Sequence, residues 1–225
     1  FFTSVDHVTR VGRIVRPDSE IPPAFKHLPM AYNGRTSSVV ISDTPVIRPR
    51  GQKMRGKGEV EFAPTRSLDF ELEAGIFIGA GNALGQPISL RAAPEHIFGL
   101  CLLNDWSARD IQRWESVPLG PFLGKSFCTT ISPWIVTSEA LAPFRVPAAA
   151  RAKDDPLPQN YLQDTADRAE GAFDIELSAT IQTAAMRSKG QAPARITRTN
   201  LNTLYWTAAQ MIAHHTCNGC NLQPG

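Results

Sequence analysis

The sequence contains little that marks a secreted, membrane-embedded or nucleic-acid-binding protein. It has only 4 cysteines in 225 residues, too few for a disulfide scaffold, so we expect free thiols in a reducing cytoplasm. Lysine and arginine number 23 against 21 acidic residues, and the net charge of +2 predicts neither nucleic acid nor an anionic membrane as partner. The longest apolar run, around residues 97–103, is far shorter than the roughly 20 residues of a spanning helix.

The residues that are present predict an ordered domain built mainly from strands. Hydrophobic residues make up 42% and charged residues 20%, which excludes intrinsic disorder. Residues 201–216 form the clearest helical pattern, which ends at Asn218 and Gly219. Because strands outnumber helices and do not alternate with them, we expect a mainly β or α+β architecture with a mixed or antiparallel sheet. The predicted strands are 37–42, 70–78 and 173–182, and the predicted loops are 147–171 and 190–199.

The two ends of the chain predict a fragment of a longer protein. The chain begins with two phenylalanines and no methionine, and it ends on Pro224 and Gly225, which together are a turn signal. A turn normally leads into another element. We therefore expect the polypeptide to continue beyond both ends.

Four motifs suggest chemistry that their spacing does not support. In residues 79–85 the third glycine is one position late for a dinucleotide site and no helix follows, so a glycine-rich hairpin is predicted. Residues 124–126 lack the earlier glycine of a phosphate loop. Residues 48–57 are basic but broken by glycine and proline, which predicts a solvated loop. Residues 214–220 hold two histidines and two cysteines, but adjacent helical histidines point about 100° apart, which disfavours zinc.

Two pairs of carboxylates have the same spacing but different neighbours. Glu71 and Glu73 lie at positions i and i+2 of a predicted strand, which places them about 6.6–7 Å apart along it. Both therefore point to the same face, and the other residues of that face are apolar. Asp174 and Glu176 share their face with serine, threonine and glutamine. Carboxylates on an apolar face must be protonated, paired or bound to a cation, and their repulsion favours a divalent cation. The first pair is therefore a candidate metal site and the second a solvated surface.

Residues 104–112 follow the apolar run and carry a further group of polar side chains. A hydrophobic stretch that ends abruptly in polar residues is typical of a core element that delivers side chains to a cleft. The alternative is the start of a helix capped by Asn104, Asp105 or Ser107. His7 is an isolated histidine near the start of the chain, and pattern alone favours a structural role for it.

These residues belong to longer runs that resemble the fumarylacetoacetate hydrolase (fumarylacetoacetase) family over the whole chain. The resemblance implies a mixed β-roll catalytic domain, incomplete within residues 1–225, that forms a homodimer and binds Mg²⁺ or Ca²⁺. It also implies an enzyme of tyrosine and phenylalanine breakdown that hydrolyses a carbon–carbon bond in a diketo acid, giving fumarate and acetoacetate. The matching runs are residues 27–35 (HLPMAYNGR), 69–73 (DFELE), 104–115 (NDWSARDIQRWE), 117–127 (VPLGPFLGKSF) and 214–225.

The resemblance also implies a role for individual residues. It makes His7 the group that activates water, and Arg109, Gln112 and Lys125 the donors that stabilise negative charge. Histidine suits proton transfer near neutral pH, and oxygen ligands favour Mg²⁺ or Ca²⁺ over zinc. The implied metal-binding residues are Glu71, Glu73, Asp105, Lys125 and Thr129, and the implied substrate-binding positions are Phe2, Arg16, Tyr32 and Gln112.

The sequence departs from the family pattern at three places. Phe2 stands where the family has a tyrosine, so one substrate-binding hydroxyl is absent. The family's fourth metal carboxylate would precede Phe1, and the glutamate that orients the histidine would follow Gly225. We therefore expect weak metal binding and little activity from this chain alone. The alternatives are a hydrolase or decarboxylase of another 1,3-diketo or 2-oxo acid, and a non-catalytic remnant.

Overall fold

The computed structural model consists of short strands and helices and describes residues 1–15, 21–56 and 58–225. They form two units, each assembled from separate stretches of the sequence. The first unit contains Phe1–Ala31, Phe77–Gly99 and Thr137–Gly225, and the second unit contains Tyr32–Ile76 and Leu100–Val136. No helix among the described residues is long and apolar enough to cross a membrane.

Strands outnumber helices within the described part of the chain, as the sequence predicts. The helices are α1 (Val5–Val15), α2 (Arg109–Glu115), α3 (Leu123–Ser126), α4 (Ser138–Leu141), α5 (Thr165–Glu170), α6 (Ala184–Ser188) and α7 (Ala208–Thr216). The strands are β1 (Val39–Ile41), β2 (Arg50–Met54), β3 (Val60–Pro64), β4 (Leu68–Asp69), β5 (Leu72–Ile78), β6 (Ile97–Asp105), β7 (Ser107–Ala108), β8 (Thr129–Ile131), β9 (Val136–Thr137), β10 (Arg145–Val146), β11 (Ala172–Phe173), β12 (Glu176–Ile181) and β13 (Ala194–Asn200).

A mixed sheet with the strand order β1-β8-β6-β5 carries the residues of the candidate site. Strand β1 runs parallel to β8, whereas β6 and β8 are antiparallel, with Asp105 opposite Thr129 and Leu103 opposite Ile131. The sequence of β6 is apolar until its last two residues, and some of its apolar side chains are buried whereas Phe98 and Leu102 are exposed. Strand β6 ends at Asp105, which lies opposite Thr129, the first residue of β8.

Strands β2 and β3 form an antiparallel pair that packs against α2. A Cβ atom at Gly51 would lie 2.8 Å from Ile111 Cδ1, so glycine lets the strand approach this helix closely. Lys53 is only 2% exposed, and its Nζ lies 3.0 Å from an oxygen of Asp110. The loop predicted over residues 48–57 is therefore wrong for Arg50–Met54, because a buried ion pair and a β-ladder hold these residues in place, while residue 57 lies outside the described residues.

Helix α7 begins at Ala208 and not at residue 201, so the helix predicted from the sequence is too long at its start. The Oγ1 of Thr207 accepts the backbone N–H of Gln210, and the side chain of Gln210 accepts the backbone N–H of Thr207. This capping box fixes the first residue of the helix. The preceding residues, Leu201–Thr203, form a separate 3₁₀ turn.

The fully buried Trp206 anchors the first unit just before α7. Its Nε1 donates to the carbonyl of Phe25 at 2.9 Å. The guanidinium of Arg151 lies 4.3 Å from the Trp206 ring centroid and 4.4 Å from that of Tyr205. This cation–π stack fastens the segment around Arg151 to the rest of the unit.

Two predicted loops contain regular structure. Residues 190–199 are largely occupied by β13, which pairs antiparallel with β12. Because most side chains of β13 are exposed, backbone hydrogen bonds hold the ribbon and the strand has no apolar alternation to reveal it. Residues 147–171 include α5, which Asp164 caps by accepting two backbone N–H groups. The strand predicted over 173–182 is interrupted between β11 and β12.

The glycines of residues 79–85 form a long connection and not the predicted hairpin, because β5 ends at Ile78 and β6 begins only at Ile97. A Cβ atom at Gly81 would lie 2.2 Å from the carbonyl oxygen of Leu222, so glycine is required for this approach of two backbones. No helix begins at these glycines, in agreement with the rejection of a dinucleotide site.

Candidate metal and catalytic site

Three carboxylates of the second unit converge on one point. Glu71, Glu73 and Asp105 each offer an oxygen, and these three oxygens lie within 4.8 Å of one another. Glu71 immediately precedes β5, Glu73 lies within it, and Asp105 ends β6. The alternative that Asp105 caps a helix is wrong, because α2 begins at Arg109 and its N-cap position, Ala108, carries no side-chain cap.

Backbone contacts hold the start of β5 against the end of β6. The N–H of Asp105 donates to the carbonyl of Glu71 at 3.1 Å. The N–H of Glu71 donates to the side-chain oxygen of Asn104 at 3.3 Å. The carboxylates of Glu71 and Asp105 are thus brought together by fixed backbone, which pre-organises the cluster.

Two cationic side chains compensate the negative charge of the cluster. Lys125 Nζ lies 2.7 Å from Glu71 Oε2 and 3.0 Å from Asp105 Oδ2, and the lysine side chain is only 4% exposed. Arg109 Nη2 lies 3.0 Å from Glu71 Oε1. A buried ammonium needs such partners, because an unpaired charge in the interior is costly. Helices α2 and α3 supply these cations.

Arg109 is held on three sides, and this arrangement orients Gln112. Its Nη2 contacts Glu71, its Nε donates to Asp69 at 2.8 Å, and its Nη1 donates to Gln112 Oε1 at 3.0 Å. The oxygen of the Gln112 amide is therefore occupied, and its NH₂ group remains a hydrogen-bond donor. Gln112 thus adds a neutral donor beside the charged ones.

Asp105 accepts hydrogen bonds from three separate parts of the chain. Besides Lys125, Tyr32 donates its hydroxyl at 2.9 Å and Thr129 donates at 3.3 Å. Thr129 in turn accepts from Arg35 Nη1 at 2.9 Å. Burial, followed by the charge of Asp105, raises the pKa of Tyr32, so its hydroxyl stays protonated and remains a donor.

The surroundings of Glu73 fit a hard divalent cation. Burial, followed by the charges of Glu71 and Asp105, raises the pKa of Glu73 well above its usual range. A cluster that retains a proton carries less negative charge than it does when fully ionised, and a divalent cation can take that proton's place. Three carboxylates that each offer one oxygen are the donor set that Mg²⁺ and Ca²⁺ prefer.

The remaining residues implied by the family resemblance belong to the first unit or lie outside the described residues. His7 belongs to α1 of the first unit, and its ring centroid lies 5.3 Å from that of Phe2. Phe2 also donates its N–H to the carbonyl of Met30 at 2.7 Å. Arg16 lies outside the described residues. The second unit brings together Tyr32, Glu71, Glu73, Asp105, Arg109, Gln112, Lys125 and Thr129.

Sequence reasoning misses three residues that support this cluster: Arg35, Asp69, and Asn104 as a side-chain acceptor. Asp69 stands two residues before Glu71, in the same run, and that proximity is the one signal that points to it. The others act through hydrogen bonds between distant parts of the sequence, for which no spacing rule exists.

The histidines and cysteines of residues 214–220 make contacts of other kinds. His214 Nδ1 lies 2.8 Å from the hydroxyl of Tyr161, and Cys220 Sγ lies 3.7 Å from His215 Nε2. All four cysteines are free thiols. Within the part of the chain that the structure describes, these side chains form no metal-binding group of three.

Comparison with known proteins gives consistent matches along the whole chain. Residues 2–225 match the family described as fumarylacetoacetate (FAA) hydrolase C-terminal. The chain is 52% identical over 227 residues to the fumarylacetoacetase of Arabidopsis thaliana and 48% identical over 227 residues to that of Homo sapiens. Each match covers 100% of this chain and 52% of the relative. The chain therefore spans about half the length of the curated relatives it matches.

Two solved structures share the fold at low sequence identity. A putative HpcE protein from Mycobacterium smegmatis gives a TM-score of 0.55 at 20% identity, over 99% of this chain and 56% of that one. A fumarylacetoacetate hydrolase from Exiguobacterium antarcticum gives a TM-score of 0.54 at 17% identity, over 99% of this chain and 57% of that one. These likenesses confirm the expected α+β architecture.

Proposed function

This chain belongs to the fumarylacetoacetate hydrolase family, and from that premise we propose that residues 1–225 form the catalytic domain of an enzyme that hydrolyses fumarylacetoacetate to fumarate and acetoacetate. The observation that carries the proposal is the convergence of Glu71, Glu73 and Asp105 beside Lys125 and Arg109. Such a cluster combines anionic ligands for a metal with cationic donors for substrate oxygens. The relatives named fumarylacetoacetase support the choice of substrate.

The reaction requires an activated water and a stabilised leaving group. Hydroxide adds to the carbonyl carbon next to the fumaryl double bond, and the carbonyl oxygen becomes negatively charged. The bond to the neighbouring methylene carbon then breaks, the electron pair stays on that carbon, and a proton completes acetoacetate. We propose His7 as the base that takes the proton from water, because imidazole exchanges protons readily near neutral pH.

Three side chains are suited to the charge that develops on the carbonyl oxygen. Arg109, Gln112 and Lys125 are hydrogen-bond donors on α2 and α3, and each is held by partners that leave little freedom to rotate. Pre-organised donors of this kind stabilise an oxyanion by several kcal/mol in many enzymes. Gln112 contributes a donor because its own oxygen already accepts from Arg109.

We further propose that Glu71, Glu73 and Asp105 hold Mg²⁺ or Ca²⁺, with Lys125 and Thr129 adjoining the metal-binding carboxylates. When bound, the cation supplies a Lewis acid for the enolate oxygen of the leaving group. Tyr32 binds a substrate oxygen when its hydroxyl turns from Asp105 to the substrate, and Arg16 pairs with a substrate carboxylate. Phe2 packs near the substrate without the hydroxyl that the family has at this position.

We propose that the protein is a cytoplasmic homodimer acting in tyrosine and phenylalanine breakdown. Support for an interface comes from large apolar side chains of the second unit that face solvent: Ile47 is 85% exposed, Leu119 is 96% exposed and Trp134 is 81% exposed. Sedimentation equilibrium tests the dimer, and a monomer at every concentration would contradict it.

Turnover of fumarylacetoacetate, followed by loss of its ultraviolet absorbance, tests the proposed reaction. The chain should be expressed within its full coding sequence and assayed with Mg²⁺ and then with a chelator. We expect metal-dependent loss of absorbance that His7→Ala lowers by a factor of about 100 or more. The matched control is His27→Ala, at an exposed position in the same unit, which should retain activity.

A second candidate is hydrolysis or decarboxylation of another 1,3-diketo or 2-oxo acid, and Phe2 favours it because one substrate-binding hydroxyl is absent. Cleavage of such an acid, without cleavage of fumarylacetoacetate, would replace the proposed substrate. A folded, metal-binding protein that cleaves neither class would support a non-catalytic remnant.

A further inference from the structure

The carboxylate of Glu115 binds the backbone at the start of α3. Its Oε1 accepts the N–H groups of Phe122 and Gly124 at 2.8 Å each, and its Oε2 accepts the N–H of Leu123 at 3.0 Å. A helix leaves its first N–H groups without partners inside the helix, and an ionised acceptor satisfies them strongly. Because Glu115 is the last residue of α2, this contact joins the two helices.

The position of Glu115 is unfavourable for its own helix. A negative side chain at the carboxyl end of a helix opposes the partial negative charge of the last carbonyl groups. The same carboxylate is favourable at the amino end of α3, where three N–H groups face it. Glu115 therefore contributes to the junction between the helices and not to α2 itself.

The two helices also touch directly at Gly124. A Cβ atom there would lie 2.7 Å from the backbone nitrogen of Gln112 and 2.8 Å from its Cα. Only glycine allows this contact, which places Gly124 against Gln112. Gly124 directly precedes Lys125, and Gln112 is oriented by Arg109. The junction thus unites the three donors of the candidate site.

We propose that Glu115 is a positioning residue that fixes α3 on α2 and thereby holds Lys125 Nζ between Glu71 and Asp105. The positioning follows from the contacts of the second unit alone. Its consequence for catalysis rests on the proposed function.

The charge-neutral variant Glu115→Gln tests the positioning. Glutamine has nearly the same shape, but its NH₂ group would face a backbone N–H, and only one oxygen would remain to accept. In the 225-residue chain, each lysine is acetylated under native conditions and its rate is read by peptide mass spectrometry. We expect Lys125 to react about tenfold faster in the variant, because local opening of α3 exposes its Nζ.

Lys53 is the internal reference for this experiment. It is as buried as Lys125 and lies in the same unit, but its partner is Asp110. We expect its rate to stay within about twofold of the parent chain. Equal acceleration of both lysines would show that Glu115 merely stabilises the unit, and an unchanged rate at Lys125 would show that Glu115 does not hold it. Either result would overturn the proposal.

Two further variants keep the test independent of one substitution. Gly124→Ala separates α3 from α2 by steric contact while leaving Glu115 unchanged, and we expect the same selective acceleration at Lys125. Glu59→Gln removes an exposed carboxylate of the same unit and should change neither lysine. A Gly124→Ala chain with parental labelling would contradict the proposed junction.

The catalytic consequence is tested in the full-length protein with a double-mutant cycle. Glu115→Gln should lower kcat in the parent protein but cause no further loss once Lys125 is replaced by methionine, because both changes act through the same ammonium. If the losses of kcat in the two single variants add up in the double variant, Glu115 does not act through Lys125. If the parent protein does not turn over fumarylacetoacetate, the proposed function fails, whereas the acetylation result still decides the positioning.

Discussion

Glu71 and Glu73 have the same i, i+2 spacing as Asp174 and Glu176, and the two pairs differ in their surroundings. Glu71 is 9% exposed and contacts Lys125 and Arg109, with Asp105 completing the cluster. Glu176 is 50% exposed and pairs with Arg198, itself 60% exposed, on the ribbon of β12 and β13. Spacing sets which face a side chain takes, and burial sets what chemistry it can perform.

The two pairs differ in how their negative charge is stabilised. The buried pair requires partners fixed by other elements, because water does not screen it. The exposed pair is hydrated, so its contact with Arg198 adds little to stability. Substitutions at the two pairs should therefore differ widely in effect.

The largest effect is expected when the buried cluster loses its ammonium. Lys125→Met keeps a long side chain but leaves Glu71 and Asp105 without that charge, and we expect the metal-free chain to lose about 3–5 kcal/mol of unfolding free energy. Urea unfolding in chelator measures it. Lys189→Met, at an exposed position, is the control. A loss no larger than that of the control would remove the distinction between buried and exposed charges.

Cation binding should depend on the buried pair alone. Glu73→Gln removes one charged ligand, and we expect the affinity for Mg²⁺ to fall by about 100-fold or more, because ligand charge sets affinity at such sites. Calorimetric titration of the full-length protein and its variant measures this. Glu176→Gln has the same chemistry at the exposed pair and should leave the affinity unchanged; an equal fall in both variants would refute the assignment.

The metal-free chain should become less stable as pH rises above the usual range of a glutamate. Folded Glu73 keeps its proton because its pKa is raised, whereas the unfolded chain releases it, so each pH unit costs up to about 1.4 kcal/mol until Glu73 ionises. Unfolding in chelator between about pH 5 and 8 measures this slope. It should vanish in Glu73→Gln, and a slope that persists there would assign it to another group.

Asp110 provides the opposite case within the same unit. Burial raises its pKa, but hydrogen bonds from Thr65, the Arg66 backbone and Lys53 outweigh burial and bring the pKa to about 2. Ionised Asp110 therefore stabilises the fold at pH values above the usual aspartate pKa, and this stabilisation disappears as pH falls toward 2. The slopes from Asp110 and Glu73 thus have opposite signs and fall in separate pH ranges.

The smallest effect is expected at the exposed pair. Arg198→Ala removes the partner of Glu176, and we expect a change below about 1 kcal/mol because both side chains are hydrated. Thermal unfolding at low and high salt measures it, and the small difference should shrink further as salt increases. A loss as large as that of Lys125→Met would show that exposure does not separate the two pairs.

The sequence predicts those parts of the site whose signals are local. The alternation in residues 70–78 predicts β5 and separates the carboxylates from apolar side chains. The apolar run before Asn104 and Asp105 predicts a core element that delivers polar side chains to a cleft, without identifying it as a strand. Glu71 itself lies just outside β5, and the contact between its carbonyl and Asp105 holds it in place. Convergence of the three carboxylates depends on that long-range contact.

The parts that the sequence does not predict depend on partners far along the chain. Nothing near Lys53 indicates that Asp110 pairs with it, and so the local pattern predicts a solvated loop for this basic segment. Thr207 and Gln210 have the spacing of a capping box, which indicates that α7 begins at Ala208. The apolar pattern alone predicts an earlier start, at residue 201. The strand β13 has no buried apolar face, so hydrophobic periodicity does not reveal it, although its isoleucine and threonines favour a strand.

The burial of Trp206 makes the first unit visible in fluorescence. This indole lies in the first unit with no exposed surface and a guanidinium against its ring, whereas Trp106, Trp114 and Trp134 belong to the second unit. An indole shielded from water emits at shorter wavelength than a hydrated one such as Trp134. Emission at the blue edge of the spectrum therefore follows the folding of the first unit, and emission at the red edge follows the unit that carries the carboxylates.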